Sequence, residues 1–121
     1  HSIAIGSESG RYASGSYNTF LGSSAGKGGT TSAPYSSGTA NTAMGYQALD
    51  GFTTGYNNTV VGYQAASALT TADNNVFIGD GAAKVLTTGR LSTIIGSQAA
   101  YSLTVGQRNI ARGYLQRIVS S

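Results

Sequence analysis

The side chains that could do acid-base or metal chemistry are few in this chain of 121 residues, which has four acids, one histidine and no cysteine. The acids are Glu8, Asp50, Asp73 and Asp80, and the histidine is His1. A glycosidase needs two carboxyl groups about 5 to 9.5 Å apart, whereas these four acids stand at different positions of the repeat described below. The missing cysteines exclude disulfides and cysteine-based metal sites.

Two short motifs suggest catalysis and both fail on inspection. Gly22-Ser-Ser-Ala-Gly26 matches a serine nucleophile elbow, but that motif needs a downstream histidine, and His1 lies upstream. The phosphate-binding loop requires Gly and Ser or Thr where this chain has Leu21 and Gly28. We therefore predict no enzymatic activity, no catalytic or metal-ligating residues and no cofactor.

Tyrosines and basic side chains are the better candidates for binding. An aromatic ring with a polar tip can stack on a sugar and also hydrogen-bond it. The predicted receptor-binding residues are Tyr35, Lys27, Tyr46, Tyr63 and Tyr101. The alternative is that the tyrosines pack over the fold or between chains.

The second half of the chain is basic, because no acid follows Asp80. Its cations are Lys84, Arg90, Arg108, Arg112 and Arg117. They could meet an anionic saccharide or phosphate, or they could form a solvated face. No nucleic-acid-binding motif accompanies them, and no apolar run approaches the roughly 20 residues of a membrane span.

A repeat positions all these residues. A phrase that begins with Asn or Ser recurs along the chain, and it closes at Gly6, Gly22, Gly45, Gly62, Gly79, Gly96 and Gly113. The last four steps between these glycines are equal, each of them 17. An alanine follows most of the glycines by three residues, and a large apolar residue follows several by seven. A fixed period of this length is typical of a solenoid whose coils stack equivalent residues into columns. We expect an all-β, parallel β-solenoid or β-roll of about seven coils over residues 1–113.

The one long step, from Gly22 to Gly45, predicts an inserted loop over residues 26–38, a place where repeat proteins often bind ligands. The repeat decays at Arg112, so residues 114–121 are expected to close the domain or to lead into a stalk or tip. The recurring asparagines are expected to stack and to bond the turn backbone.

Each first strand is apolar on both faces. One face fills the coil and the other needs a cover, which a cyclic homo-oligomer would supply. The residues themselves do not fix the number of chains.

Two groups of fibrous proteins resemble this repeat. Ser2-Ile-Ala-Ile-Gly6 resembles the Asn-Ser-Val-Ala-Ile-Gly phrase in the heads of trimeric autotransporter adhesins. Asn41-Thr-Ala-Met-Gly-Tyr-Gln-Ala-Leu49 and Asn58-Thr-Val-Val-Gly-Tyr-Gln-Ala65 resemble repeats of phage tail-fibre and tail-spike proteins. The resemblance spans residues 2–113 and implies a homotrimer of β-rolls that contacts a receptor.

The resemblance also implies a role for each strand face. The coil would be filled by Ile5, Leu21, Met44, Val61, Ile78 and Ile95. The sequence repeat itself adds Leu69, Leu86 and Leu103, from the second half of each unit, to the predicted coil core. The trimer axis would be approached by Ala4, Phe20, Ala43, Val60, Phe77 and Ile94.

The function that this resemblance implies is a structural and receptor-binding segment of a trimeric phage tail fibre. Its partner would be a bacterial surface receptor, expected to be a saccharide, and its location the virion. A head domain of an autotransporter adhesin on the bacterial surface is the alternative. An ice-binding solenoid, suggested by the pairs Thr53-Thr54, Thr70-Thr71 and Thr87-Thr88, and a glycan-cleaving spike are further alternatives.

Overall fold

A computed structural model describes residues 1–117 and is all-β. Seven three-residue strands form one sheet: β1 (Ile3–Ile5), β2 (Thr19–Leu21), β3 (Thr42–Met44), β4 (Thr59–Val61), β5 (Val76–Ile78), β7 (Thr93–Ile95) and β9 (Ile110–Arg112). A second, two-stranded sheet pairs β6 (Thr88–Arg90) with β8 (Val105–Gln107). The chain is a parallel β-solenoid, which confirms the predicted fold class. It has about six turns, slightly fewer than the seven coils predicted.

The register of the sheet follows the sequence repeat. Val60 lies opposite Phe77, and Phe77 lies opposite Ile94, so each residue pairs with its equivalent in the next repeat. All pairs are parallel, because each coil returns the chain to the same edge. The predicted second strand of each unit is regular only in β6 and β8; Asp73 joins Arg90 through an isolated bridge.

The glycine that closes each strand is required by the turn. Gly45 has a φ of +127°, and a Cβ there would lie 2.7 Å from the carbonyl oxygen of Gly62 in the next coil. A residue with a side chain meets both a strained backbone angle and a steric clash at this position. The glycine column is therefore set by turn geometry and by the close stacking of coils.

The two faces of the first strand are the reverse of those predicted. Phe20, Ala43, Val60, Phe77 and Ile94 are 0–1% exposed inside their own coils, so their assignment to a trimer interface is wrong. Ala4 is in register with Phe20 but exposed in the first coil. The assignment of the other column to the coil core is also wrong: Ile5, Leu21, Met44, Ile78 and Ile95 are 37–60% exposed, and Val61 is half-buried. Leu69, Leu86 and Leu103 are buried, as predicted.

Complementary side-chain volumes explain which face turns inward. Phe20 is accommodated because position 26 is glycine, where an added Cβ would clash with the Phe20 ring. In the next coil the inward residue is Ala43, and the buried Leu49 and Phe52 supply the volume instead. The interior of each coil has a limited cross-section, so a large inward residue requires small ones opposite it.

The asparagine column forms a buried ladder, as predicted. The Asn58 amide nitrogen donates to Asn41 Oδ1 at 3.0 Å, and that of Asn75 donates to Asn58 Oδ1 at 2.9 Å. Each side-chain oxygen also accepts from the backbone N–H of the next asparagine, at 3.1 and 3.2 Å in these two pairs. The ladder thus satisfies buried backbone groups that lack a sheet partner.

The inserted segment leaves the solenoid over a shorter range than residues 26–38. The backbone N–H groups of Gly28 and Gly29 donate to the next coil, and that of Ser36 donates to the Tyr12 carbonyl in the preceding coil. At the other end Leu115 donates to Ser97 O, which continues the turn. Residues 118–121 of the predicted closing segment lie outside the described residues. Within residues 1–117 no helix is long and apolar enough to span a membrane.

Candidate functional site

Three of the predicted binding residues, Tyr46, Tyr63 and Tyr101, form one group with Lys84 and Gln64. We call this group the tyrosine platform. The rings of Tyr46 and Tyr63 stack with centroids 5.3 Å apart and planes inclined by 22°. They meet because they occupy the same position in adjacent coils, directly after the closing glycine. Lys84 Nζ donates to Gln64 Oε1 at 2.8 Å and lies 6.0 Å from the centre of the Tyr101 ring.

Stacking decides what the tyrosine platform can offer to a ligand. Tyr46 and Tyr63 cover one face of each other's ring, so a ligand meets their edges, their hydroxyl groups and the two outer ring faces. In the coil after Tyr63 the same column holds Asp80, which is exposed. No third ring therefore stacks on the outer face of Tyr63 from this column. Hydroxyl groups, an ammonium and exposed aromatic carbon together suit a saccharide.

A second group, the loop cluster, contains the other two predicted binding residues: Tyr35 and Lys27, with Glu8, Arg11 and Tyr12. Tyr35 stacks on Tyr12 at 6.3 Å, and the Arg11 guanidinium lies 5.2 Å from the Tyr12 ring centre. Glu8 forms ion pairs with Arg11 at 2.8 Å and with Lys27 at 2.9 Å. Lys27 is therefore engaged within the chain, by a partner that the sequence repeat did not reveal.

Charges in the loop cluster influence one another. The hydrogen bond and charge of Lys27, and then the charge of Arg11, lower the pKa of Glu8. Glu8 in turn raises the pKa of Lys27. Asp50 lies nearby, and burial raises the pKa of its carboxyl, although the Lys27 charge partly offsets this effect. Its Oδ1 atom is buried and accepts no hydrogen bond within the described residues.

A third surface, the aliphatic face, is the strand column that the resemblance assigns to the coil interior, and it lies on the outside. It consists of the outward residues Ile5, Leu21, Met44, Val61, Ile78 and Ile95, of which Val61 is half-buried. Threonines at positions 19, 42, 59 and 93 run beside it on the same strand faces. A continuous exposed apolar surface on a folded chain commonly marks an interaction site.

The threonine pairs considered for ice binding are divided by the fold. The first threonine of each pair donates to the backbone of the next coil, as Thr53 does to Thr70 O at 3.2 Å and Thr70 to Thr87 O at 2.9 Å. These hydroxyls hold the coils together. In the second column Thr54 and Thr71 are exposed and Thr88 is half-buried.

Nothing in the described residues assembles a catalytic centre around the serine motif. Ser24 lies in a turn with a φ of +57°, whereas the His1 ring stacks on Tyr17 at 6.3 Å. Within residues 1–117 no group of three or more His, Cys, Asp or Glu side chains could hold a metal ion. No protein-family model, curated protein or solved structure matches this chain.

Proposed function

We propose that this chain is a segment of a homotrimeric fibre that attaches to a bacterial surface and has no enzymatic activity. The observation that carries the proposal is the aliphatic face, which runs along the solenoid and is not covered by any described residue of its own chain. Burying such a face against identical copies would remove it from water at about 25 cal/mol per Å².

The solenoid geometry favours copies of the same chain as the cover. The aliphatic face repeats once per coil, so its positions from Ile5 to Ile95, on strands about 4.8 Å apart, form an apolar strip of roughly 24 Å. A symmetry axis parallel to the solenoid axis would bring equivalent strips together coil by coil. Three chains are proposed because the repeat resembles trimeric fibre proteins.

Attachment is supported by the tyrosine platform and the loop cluster. Tyr35, Tyr46, Tyr63 and Tyr101 are exposed in the single chain. A saccharide on the bacterial envelope is the proposed receptor, and the phage tail fibre is the proposed setting. An adhesin head on a bacterium would share the same assembly.

Multi-angle light scattering tests the assembly. We expect three times the chain mass of 12.2 kDa for the unaltered protein. Ile78→Asp places a charge in the aliphatic face and should yield monomers, because an unpaired charge is costly to bury. Asn57→Asp adds the same charge at an exposed turn and should leave the trimer intact. A folded monomer at micromolar concentration, or an unaffected Ile78→Asp trimer, would contradict the proposal.

Adsorption to bacterial cells tests attachment separately. The double variant Tyr46→Ala with Tyr63→Ala should adsorb at least about tenfold less, since aromatic anchors commonly contribute more than about 1.4 kcal/mol. Tyr114→Ala removes an exposed tyrosine from the same column outside the platform and should adsorb normally. Equal adsorption by all three proteins would place the receptor contact elsewhere.

A further inference from the structure

A polar groove lies on the side of the solenoid that carries the two-stranded sheet. It has a volume of about 200 Å³ and is lined by Thr71, Asp73, Thr88, Gly89, Arg90, Val105 and Gln107. It contains none of the residues of the tyrosine platform or the loop cluster. We call it the arginine groove.

The backbone builds the arginine groove from two walls and a flat floor. Side chains alternate along a strand, so Thr88 and Arg90 of β6 project on the same side with Gly89 between them. Thr71 occupies the position of Thr88 in the preceding coil, and the bridge between Asp73 and Arg90 repeats the arrangement there. One wall therefore carries the hydroxyl groups of Thr71 and Thr88 and continues with Val105, and the other carries the charged Asp73 and Arg90 and continues with Gln107.

Arg90 is equipped to bind an anion. Its Nε donates weakly to Gln107 Oε1 at 3.5 Å, and no hydrogen bond within residues 1–117 engages its terminal nitrogens. The two ion pairs formed by the described residues both involve Glu8, so no carboxylate among residues 1–117 lies within ion-pair distance of Arg90. A planar guanidinium binds a carboxylate through two parallel hydrogen bonds.

Asp73 narrows the class of anion. Its Oδ2 accepts from the Asn74 amide at 3.1 Å, and Oδ1 can accept from a ligand hydroxyl. A negative charge beside Arg90 repels polyanions such as polyphosphate or nucleic acid. A ligand that carries one carboxylate among several hydroxyl groups fits Arg90, Asp73 and the threonine wall together.

We infer that the arginine groove binds a carboxylated saccharide of the uronic acid type. The sugar carboxylate would lie on Arg90, and its hydroxyl groups would donate to Asp73 and exchange hydrogen bonds with Thr71 and Thr88. The biological meaning of the site rests on the proposed attachment function, since it names the surface chemistry that the fibre would meet.

Isothermal titration of the full chain with tetragalacturonic acid tests the site, and the methyl ester of the same oligosaccharide serves as the neutral probe. We expect the acid to bind at least about tenfold more tightly than the ester, because a charged hydrogen-bonded pair is lost with the ester. Arg90→Gln should remove this preference. Arg108→Gln makes the same charge change at an exposed residue outside the groove and should preserve it. Asp73→Asn should still bind the acid, and a sulfated oligosaccharide should compete for this variant because the repelling charge is removed.

Equal affinity for acid and ester, or the same loss in Arg90→Gln and Arg108→Gln, would overturn the inference. Circular dichroism of each variant confirms that the fold is unchanged. Light scattering on the same samples separates the two proposals: a trimer that ignores the acid refutes the arginine groove alone, and a monomer that binds the acid refutes the assembly alone.

Discussion

Removing one amide from the buried asparagine ladder should destabilise the solenoid far more than removing an exposed one. Asn58→Ala would leave the backbone N–H of Asn75 without its acceptor, now 3.2 Å away, and the Ala72 carbonyl without its donor, now 2.7 Å away. Neither group has another hydrogen bond among the described residues. A buried unsatisfied group costs about 1–3 kcal/mol, so we expect a loss of about 4 kcal/mol in the free energy of unfolding.

The matched control is the neighbouring Asn57, which is exposed and makes one side-chain bond, to Asn74 Oδ1 at 3.3 Å. Asn57→Gly suits the φ of +54° at this position and should cost less than about 1 kcal/mol. Urea denaturation followed by circular dichroism, at one protein concentration for all variants, measures both. Asn58→Leu retains volume and should be as unstable as Asn58→Ala, because hydrogen bonding is the cause. A difference below about 1 kcal/mol between Asn58→Ala and Asn57→Gly would refute the reasoning.

Two further predictions concern the coil interior and pH. Phe77→Ala should lower the free energy of unfolding by about 3–5 kcal/mol, whereas Tyr63→Ala, at an exposed position, should cost less than about 1 kcal/mol in the same urea titration. Asp50→Asn should stabilise the protein at pH 7, because burial raises the pKa of Asp50 and so penalises its charged form in the folded state. The penalty is present above the folded pKa and disappears as the pH falls below the unfolded value of about 3.9. Thermal melts should therefore show the Asp50→Asn advantage shrinking on acidification, and an advantage that grows in acid would contradict this cause.

The sequence predicts the architecture well because stacking imposes an exact period. One constant step sets the strand pairs from β3 onwards, including the pair Phe77 and Ile94, and it predicts the asparagine ladder from the sequence alone. The tyrosine stack follows from the same register. Contacts between equivalent positions of adjacent coils can thus be predicted from the repeat period.

Contacts between columns are less predictable. The ion pair of Lys27 with Glu8 joins different positions of two coils, and the repeat does not say which positions meet across a turn. The groove beside Arg90 depends on Gly89 forming a floor between two walls, which requires the second sheet to be known. These features depend on how the chain is arranged within the cross-section of a coil. The repeat period specifies only which residues stack along the solenoid axis.

The cross-section also explains why the inward face was misassigned, and it bears on assembly. An inward column must share a fixed volume with the rest of its coil, so it varies from Ala43 to Phe77 as its neighbours change. The outward column has no such constraint from its own chain, yet from Leu21 to Ile95 it stays uniformly aliphatic and of similar size. A uniform column suits a partner surface that is equally uniform and has the same period. A second copy of this chain is the simplest surface with that property, and this is why the exposed column, rather than the buried one, supports an oligomeric fibre.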